Sequence, residues 1–190
     1  MRVLTLPEAE VPAELKLQVA ELQDLVWPRP PGPSADPVHD PALSPSSMLL
    51  VDGDRVVAAL DVLSKPLTHA GRTYAASGLS AVVTDPARRG RGYGRRLVSA
   101  ARAAIEEGGA DLGIFTCDRE LRGFYEGAGW EPLPGAVLVG GTVGRPFPSD
   151  QDGFDKLTMA AFLTGFARRH RAEFAGARIG LYPGEVDRLW

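Results

Sequence analysis

Val82-Val83-Thr84-Asp85-Pro86-Ala87-Arg88-Arg89-Gly90-Arg91-Gly92-Tyr93-Gly94-Arg95-Arg96-Leu97 is the stretch that decides the fold. Its first three residues close a β-rich run that begins at Tyr74, and Asp85-Pro86 ends that strand, because proline lacks an amide donor. From Gly94 to Glu107 the apolar residues Leu97, Val98, Ala101, Ala104 and Ile105 recur at helical spacing, with Gly108-Gly109 as the stop. A strand that enters a glycine-rich turn and opens a helix aims unpaired amides and the positive end of the helix dipole at one spot. Glycines 90, 92 and 94 allow close backbone approach and positive φ, and six arginines lie between residues 88 and 102. The segment reads as an anion site of diphosphate size; the plainer alternative is a glycine turn with surface arginines.

Outward from this segment the pattern is mixed. Leu4 to Leu6 predicts a short strand, and Ala13 to Trp27 an amphipathic helix with Leu15, Val19, Leu22, Leu25 and Val26 on its apolar face. Pro28 to Pro45 holds seven of the 16 prolines. It supports neither helix nor central strand, and is either a stiff linker or a loop over a site. Met48 to Val51 and Arg55 to Leu63 flank the turn Asp52-Gly53-Asp54, predicting a hairpin, and a second turn at Ala70-Gly71-Arg72 leads to the strand ending at Thr84. Beyond the central helix, Leu112 to Thr116 and Ala136 to Val139 are strand-like and Arg119 to Gly127 helical. Leu157 to Phe166 fits strand or helix by period; a strand leading into a basic helix near Arg168 to Glu173 is the favoured reading. Antiparallel hairpins joined to a strand-helix-strand unit make a mixed α/β (α+β) domain.

The composition excludes several classes. The 190 residues are 44% hydrophobic and 24% charged with a net charge of −3, which is ordinary for a globular domain and argues against a nucleic-acid-coating protein. Cys117 is the only cysteine, so neither an internal disulfide nor a multi-cysteine zinc site exists, and His39, His69 and His170 lack metal-ligand spacing. No metal is expected. No run reaches the roughly 20 apolar residues of a membrane helix, and the N-terminus has no signal-peptide stretch, so cytoplasmic residence is the default. Arg168-Arg169-His170-Arg171 reads as a solvated helix face rather than a nucleic-acid patch.

The identity of the diphosphate narrows by elimination. The loop lacks the Lys-Ser/Thr ending of a nucleotide P-loop, and Gly90-Arg91-Gly92-Tyr93-Gly94 misses the dinucleotide spacing; coenzyme A remains. Arg89-x-x-Gly92-x-Gly94 resembles the acetyl-CoA loop of the GNAT acetyltransferase superfamily. Phe124-Tyr125-Glu126-Gly127-Ala128-Gly129-Trp130 is similar to its second signature. The resemblance spans about Met48 to Trp130 and implies a mostly antiparallel sheet splayed at its centre, flanked by helices, between the strand ending at Thr84 and the one at Leu112 to Thr116. Within the superfamily the chain looks most like aminoglycoside 2′-N-acetyltransferases, on Leu79 to Thr84, Asp111-Leu112-Gly113, the run Arg145 to Gly153 and the ending Val186-Asp187-Arg188-Leu189-Trp190. It departs where the family's strand glutamate falls on Ser80 and where an acidic aromatic loop is replaced by the proline-rich stretch.

By this resemblance the whole chain is one acetyltransferase domain, with residues 28–46 as a proline-rich loop and 145–190 as a substrate-side segment. Arg89 would bind the cofactor, the amides of Gly90, Arg91, Gly92, Tyr93, Gly94 and Arg95 would grip the pyrophosphate, Val83 and Thr84 would pair with the pantetheine arm, and the Val82 N–H would meet the thioester carbonyl. Cys117 falls beside the thioester region as a cofactor contact; as a nucleophile it is discounted, because no histidine is near it in sequence. Tyr125 is the candidate general acid, since a phenol stays protonated at neutral pH. Ser80 could hold a relay water. Asp150, Asp152, Asp155 and the terminal carboxylate of Trp190 are the candidate bases and attractors of a cationic acceptor. The expected partner is a small-molecule amine, with neither nucleic acid nor membrane, in a chain whose superfamily often forms homodimers.

Overall fold

The computed structural model describes residues 1–28 and 39–190. Most of the proline-rich stretch therefore lies outside the described residues. Strand β1 (Arg2–Pro7) and helix α1 (Ala13–Val26) precede it, and β2 (Ser46–Asp52), β3 (Arg55–His69) and β4 (Arg72–Thr84) follow as an antiparallel meander. Both predicted hairpin turns form; Ala70 and Gly71 take the positive φ values, 47° and 73°, that a two-residue turn requires. Then come α2 (Tyr93–Glu107), β5 (Leu112–Cys117), α3 (Arg122–Glu126), β6 (Glu131–Pro132), β7 (Val137–Gly141), β8 (Pro146–Pro148), β9 (Leu157–Phe162), α4 (Gly165–Arg169) and β10 (Arg178–Gly180).

Seven strands form one sheet in the order β1-β2-β3-β4-β5-β9-β6, and β10-β7-β8 form a second. The strand predicted at Ala136 to Val139 thus lies in the smaller sheet. Leu157 to Phe162 is a strand, and the basic segment after it is a short helix followed by a 3-10 turn at Arg171–Phe174. Its arginines face outward in ion pairs, Arg171 with Glu131 at 2.7 Å and Arg168 near Glu106 at 3.9 Å.

The main sheet is covered on both faces. Leu97, Val98, Ala101 and Ile105 of α2 are buried in one core with Ala58, Leu60 and Val62 of β3. On the other face, Leu15, Val19, Leu22 and Val26 of α1 pack on Leu49, Val51, Val56, Ala59 and Val83. Leu25, read from its spacing as part of that apolar face, is instead 65% exposed. The polar side of α1 supplies the Gln18 hydrogen bonds that fix the β2–β3 turn.

The centre of the sheet is where function enters. β4 and β5 run parallel but pair only at Ala76↔Leu112 and Ser77↔Gly113. Beyond those residues each strand continues without the other, so the two edges part into a wedge. β4 is also bulged: its register against β3 shifts between Ala59↔Val83 and Asp61↔Ser80, so Ala81 and Val82 together oppose Leu60. Ala81 sits at φ 49°, a left-handed conformation that turns the strand locally.

Candidate active site

The turn after β4 is built by three local devices. Asp85 caps the 3-10 turn Pro86–Arg88 by accepting from the Ala87 amide at 2.9 Å. Gly90 and Gly92 both adopt φ 77° with no atom within 4 Å of a would-be Cβ, so these two glycines answer to backbone conformation and to an open approach. Gly94 is different: it is helical, and a Cβ there would lie 2.7 Å from Thr84 Oγ1 and 3.3 Å from the Phe124 ring. The sequence reading of a positive φ at all three glycines is therefore corrected, since the third is there for close packing of α2 on β4.

Gly92 is the N-cap of α2, without a side-chain cap and with no acid in the first turn. The amides of Gly90 through Arg95 have no hydrogen-bond acceptor among the described residues; the helix ladder starts with Arg96 N donating to Gly92 O at 2.9 Å. Six successive donors at a dipole's positive end are left without a partner by the described residues. Arg88 is engaged with Asp52 at 2.9 Å, whereas Arg89, Arg91, Arg95 and Arg96 form no ion pair among the described residues. Such a donor set fits a diphosphate and suits no cationic group.

Tyr125 of α3 packs on β5, the strand on the other side of the wedge. Its ring packs edge-on against Phe115 of β5 at 4.9 Å and against Phe124 at 4.9 Å, and Trp130 closes on Phe115 at 4.8 Å. Burial, then the nearby Cys117 and Asp118, push the Tyr125 phenol well above its ordinary pKa, so it carries its proton throughout the physiological range. No group among the described residues hydrogen-bonds its hydroxyl. Burial likewise pushes the Cys117 thiol up to about 11, which leaves it un-ionised near neutral pH and a poor nucleophile.

Trp190 lies inside the wedge. Its backbone oxygen approaches the Thr116 amide to 3.5 Å, and its indole Nε1 lies 2.5 Å from where a Cβ on Gly78 would project, beside the Ile114 carbonyl. Carried onward, the register of β4 and β5 sets Gly78 across from Ile114 and Ser80 across from Thr116. The Trp190 backbone is thus level with Ser80, while the indole fills the narrower part of the wedge. Asp150 and Asp152 are not joined to these residues: Asp150 is paired with Arg178 at 3.1 Å on the smaller sheet, and Asp152 is exposed. Asp155 is held by Arg119 at 2.6 Å.

A charged cluster that the sequence reading missed lies beside Ser80. Asp61, directly opposite Ser80 in register, accepts from the Ser47 hydroxyl at 2.5 Å and from His39 Nε2 at 3.2 Å. His39 Nδ1 meets Asp187 Oδ1 at 2.6 Å, and the second Asp187 oxygen accepts from the Asp40 amide at 2.8 Å. Both ring nitrogens face carboxylates, so the imidazole holds both protons. Burial opposes that charge, but the hydrogen bonds and charges of Asp187 and Asp61 prevail and raise the His39 pKa to about 10. These residues are scattered along the chain and carry no motif.

The sequence matches the model of the acetyltransferase (GNAT) domain over residues 10–133. The chain belongs to the GNAT acetyltransferase family. A search of curated protein sequences gives no significant match. Among solved structures, Escherichia coli ElaA superposes with a TM-score of 0.60 at 18% identity, covering 84% of this chain and 97% of that one. An aminoglycoside 6′-N-acetyltransferase complexed with coenzyme A gives 0.60 at 16% identity, over 86% and 98%. An acyl-CoA N-acyltransferase from Pseudomonas aeruginosa gives 0.58 at 16%, over 84% and 97%. At these identities the likeness is one of fold. This GNAT chain is an acetyl-CoA-dependent N-acyltransferase, and its mixed, splayed sheet is the expected architecture. Among the described residues no helix is long and apolar enough to cross a membrane, and no three metal-ligating side chains cluster.

Proposed function

We propose that this chain transfers the acetyl group of acetyl-CoA to a primary amine of a small cationic molecule, by direct attack in a ternary complex, with an aminoglycoside as the first acceptor to test. The observation that carries the reading is the run of six amides, Gly90 to Arg95, without a partner among the described residues, at the lip of a wedge that holds Trp190.

Acetyl-CoA supplies a thioester-activated acetyl group. The Gly90–Arg95 amides and the unpaired arginines bind the diphosphate, and the free β4 edge at Val83 and Thr84 binds the pantetheine as an added strand would. The bulge at Ala81 re-aims the Val82 N–H toward the thioester carbonyl, where a backbone donor stabilises developing negative charge. In the transfer, a bond forms between the amine nitrogen and the acyl carbon while the C–S bond breaks. One ammonium proton leaves before attack, and the departing thiolate takes a proton from Tyr125, which regains one from solvent. Ser80, level with the Trp190 backbone in the wedge, holds the acceptor's ammonium and relays its proton through water. Asp150, paired with Arg178 on the smaller sheet, and Asp152, exposed, take no part in this transfer.

The test follows acetyl-CoA consumption against aminoglycosides, polyamines and peptides bearing a free N-terminus. Acetylation of an aminoglycoside amine supports the sharper reading, and its position separates 2′ from 6′ transfer. Turnover only with peptides or polyamines moves the acceptor class. Coenzyme A binding without turnover on any amine would make the chain a sensor and overturn the reading.

A further inference from the structure

The C-terminal tail is fastened at four places before it reaches the wedge. The amides of Leu181 and Tyr182 donate to Val139 O at 2.8 and 3.1 Å, and their carbonyls accept Lys65 Nζ at 2.6 and 2.9 Å. Asp187 is clasped by His39 and the Asp40 amide. Arg188 O accepts from Gly141 N at 2.7 Å and lies so close to Gly140 that any Cβ there would overlap it. All of this holds in place one side chain, Trp190, 3% exposed, with an indole N–H that has no acceptor among the described residues. A buried donor left unpaired costs stability.

The indole stands between Gly78 and Ile114, where β4 and β5 begin to part, and Val82 stands farther along the opening. An acyl carbon held at the Val82 amide with more than one carbon behind it would have to extend down the narrowing wedge into the space the indole occupies. We propose that Trp190 is the stop that restricts the transferred group to a short acyl chain, with His39, Asp61 and Asp187 as positioning residues that keep the stop seated. This inference rests on the reading that the thioester lies in the wedge.

Calorimetric titration with acetyl-, butyryl- and hexanoyl-CoA tests it by binding alone. Wild type should prefer acetyl-CoA over hexanoyl-CoA. Burying one further methylene is worth roughly fourfold in affinity, so freeing room for two should narrow that preference about tenfold or more in Trp190→Ala. Trp190→Ala removes the indole and keeps the backbone contact of residue 190 with the Thr116 amide, which separates the two roles. His39→Gln should narrow the preference in the same direction and speed hydrogen exchange in residues 181–190. Should the alanine variant unfold, Trp190→Leu carries the same test. An unchanged acetyl-to-hexanoyl ratio in a folded variant that binds acetyl-CoA normally would overturn the acyl-stop role while leaving the wedge reading intact. No acetyl-CoA binding by wild type would overturn both.

Discussion

Replacing His39 by glutamine should abolish a specific pH dependence of folding stability. In the folded protein the ring sits between Asp61 at 3.2 Å and Asp187 at 2.6 Å and holds its proton up to about pH 10, against 6.5 for a free histidine. Below the unfolded value the ring is protonated in both states and the clasp contributes in full. Above it the unfolded chain gives up the proton and the folded chain keeps it. Stability then falls by about 1.4 kcal/mol per pH unit until the folded ring itself titrates. From pH 7 to pH 9 the loss is about 2–3 kcal/mol, which in a chain of this length lowers Tm by about 5–10 °C. At pH 7 His39→Gln strands two buried carboxylates and should be less stable than wild type by about 3–5 kcal/mol. The gap should close by about 2–3 kcal/mol as pH rises to 9, because only wild type has the proton to lose. Urea unfolding followed by circular dichroism at half-unit pH steps measures the difference. A gap that stays constant or widens over that range would show that the ring is not the buried cation the geometry requires.

Three further outcomes are expected. Tyr125→Phe should lower kcat by about a hundred- to ten-thousandfold while coenzyme A affinity, measured by calorimetry, changes little; equal losses in both would make the residue a packing group only. Gly140→Ala should displace the tail at Arg188, seen as faster hydrogen exchange of residues 185–190 with the β2–β4 amides unaffected. Asp150→Asn should leave the acceptor KM within about twofold of wild type, since the carboxylate is spent on an exposed ion pair of the kind worth little; a large rise in KM would return Asp150 to the acceptor site.

Local signals made the donor half of the site readable in the sequence. A strand, a proline stop, glycines at fixed offsets and an amphipathic helix together specify Val82 to Leu97, because each residue's effect there depends on its near neighbours. The meander was equally readable from its turns. Gly94 shows the limit of that reasoning. In sequence it is indistinguishable from Gly90 and Gly92, yet its reason is the Thr84 hydroxyl and the Phe124 ring brought against it by the tertiary fold. Leu25 failed for a related cause, since helical periodicity identifies a face but not how far the sheet beneath extends. The acceptor half depends on separations no local rule reaches: His39 with Asp187 is a contact across 148 residues, and Trp190 meets Gly78 only because the small sheet carries the tail back. The acid-rich run at Asp150 to Asp155 looked like a cation site in sequence because its arginine partners, Arg119 and Arg178, lie far along the chain.

The central claim is that the amides of Gly90 to Arg95 hold the diphosphate of acetyl-CoA, and a calorimetric comparison of wild type with Gly90→Glu and Gly92→Glu tests it most directly. A glutamate at either position puts an anion where the second anion must sit and strains a residue at φ 77°. The account predicts micromolar or tighter binding of coenzyme A to wild type and at least about a hundredfold loss in both folded variants. Undiminished binding in the folded variants would contradict it.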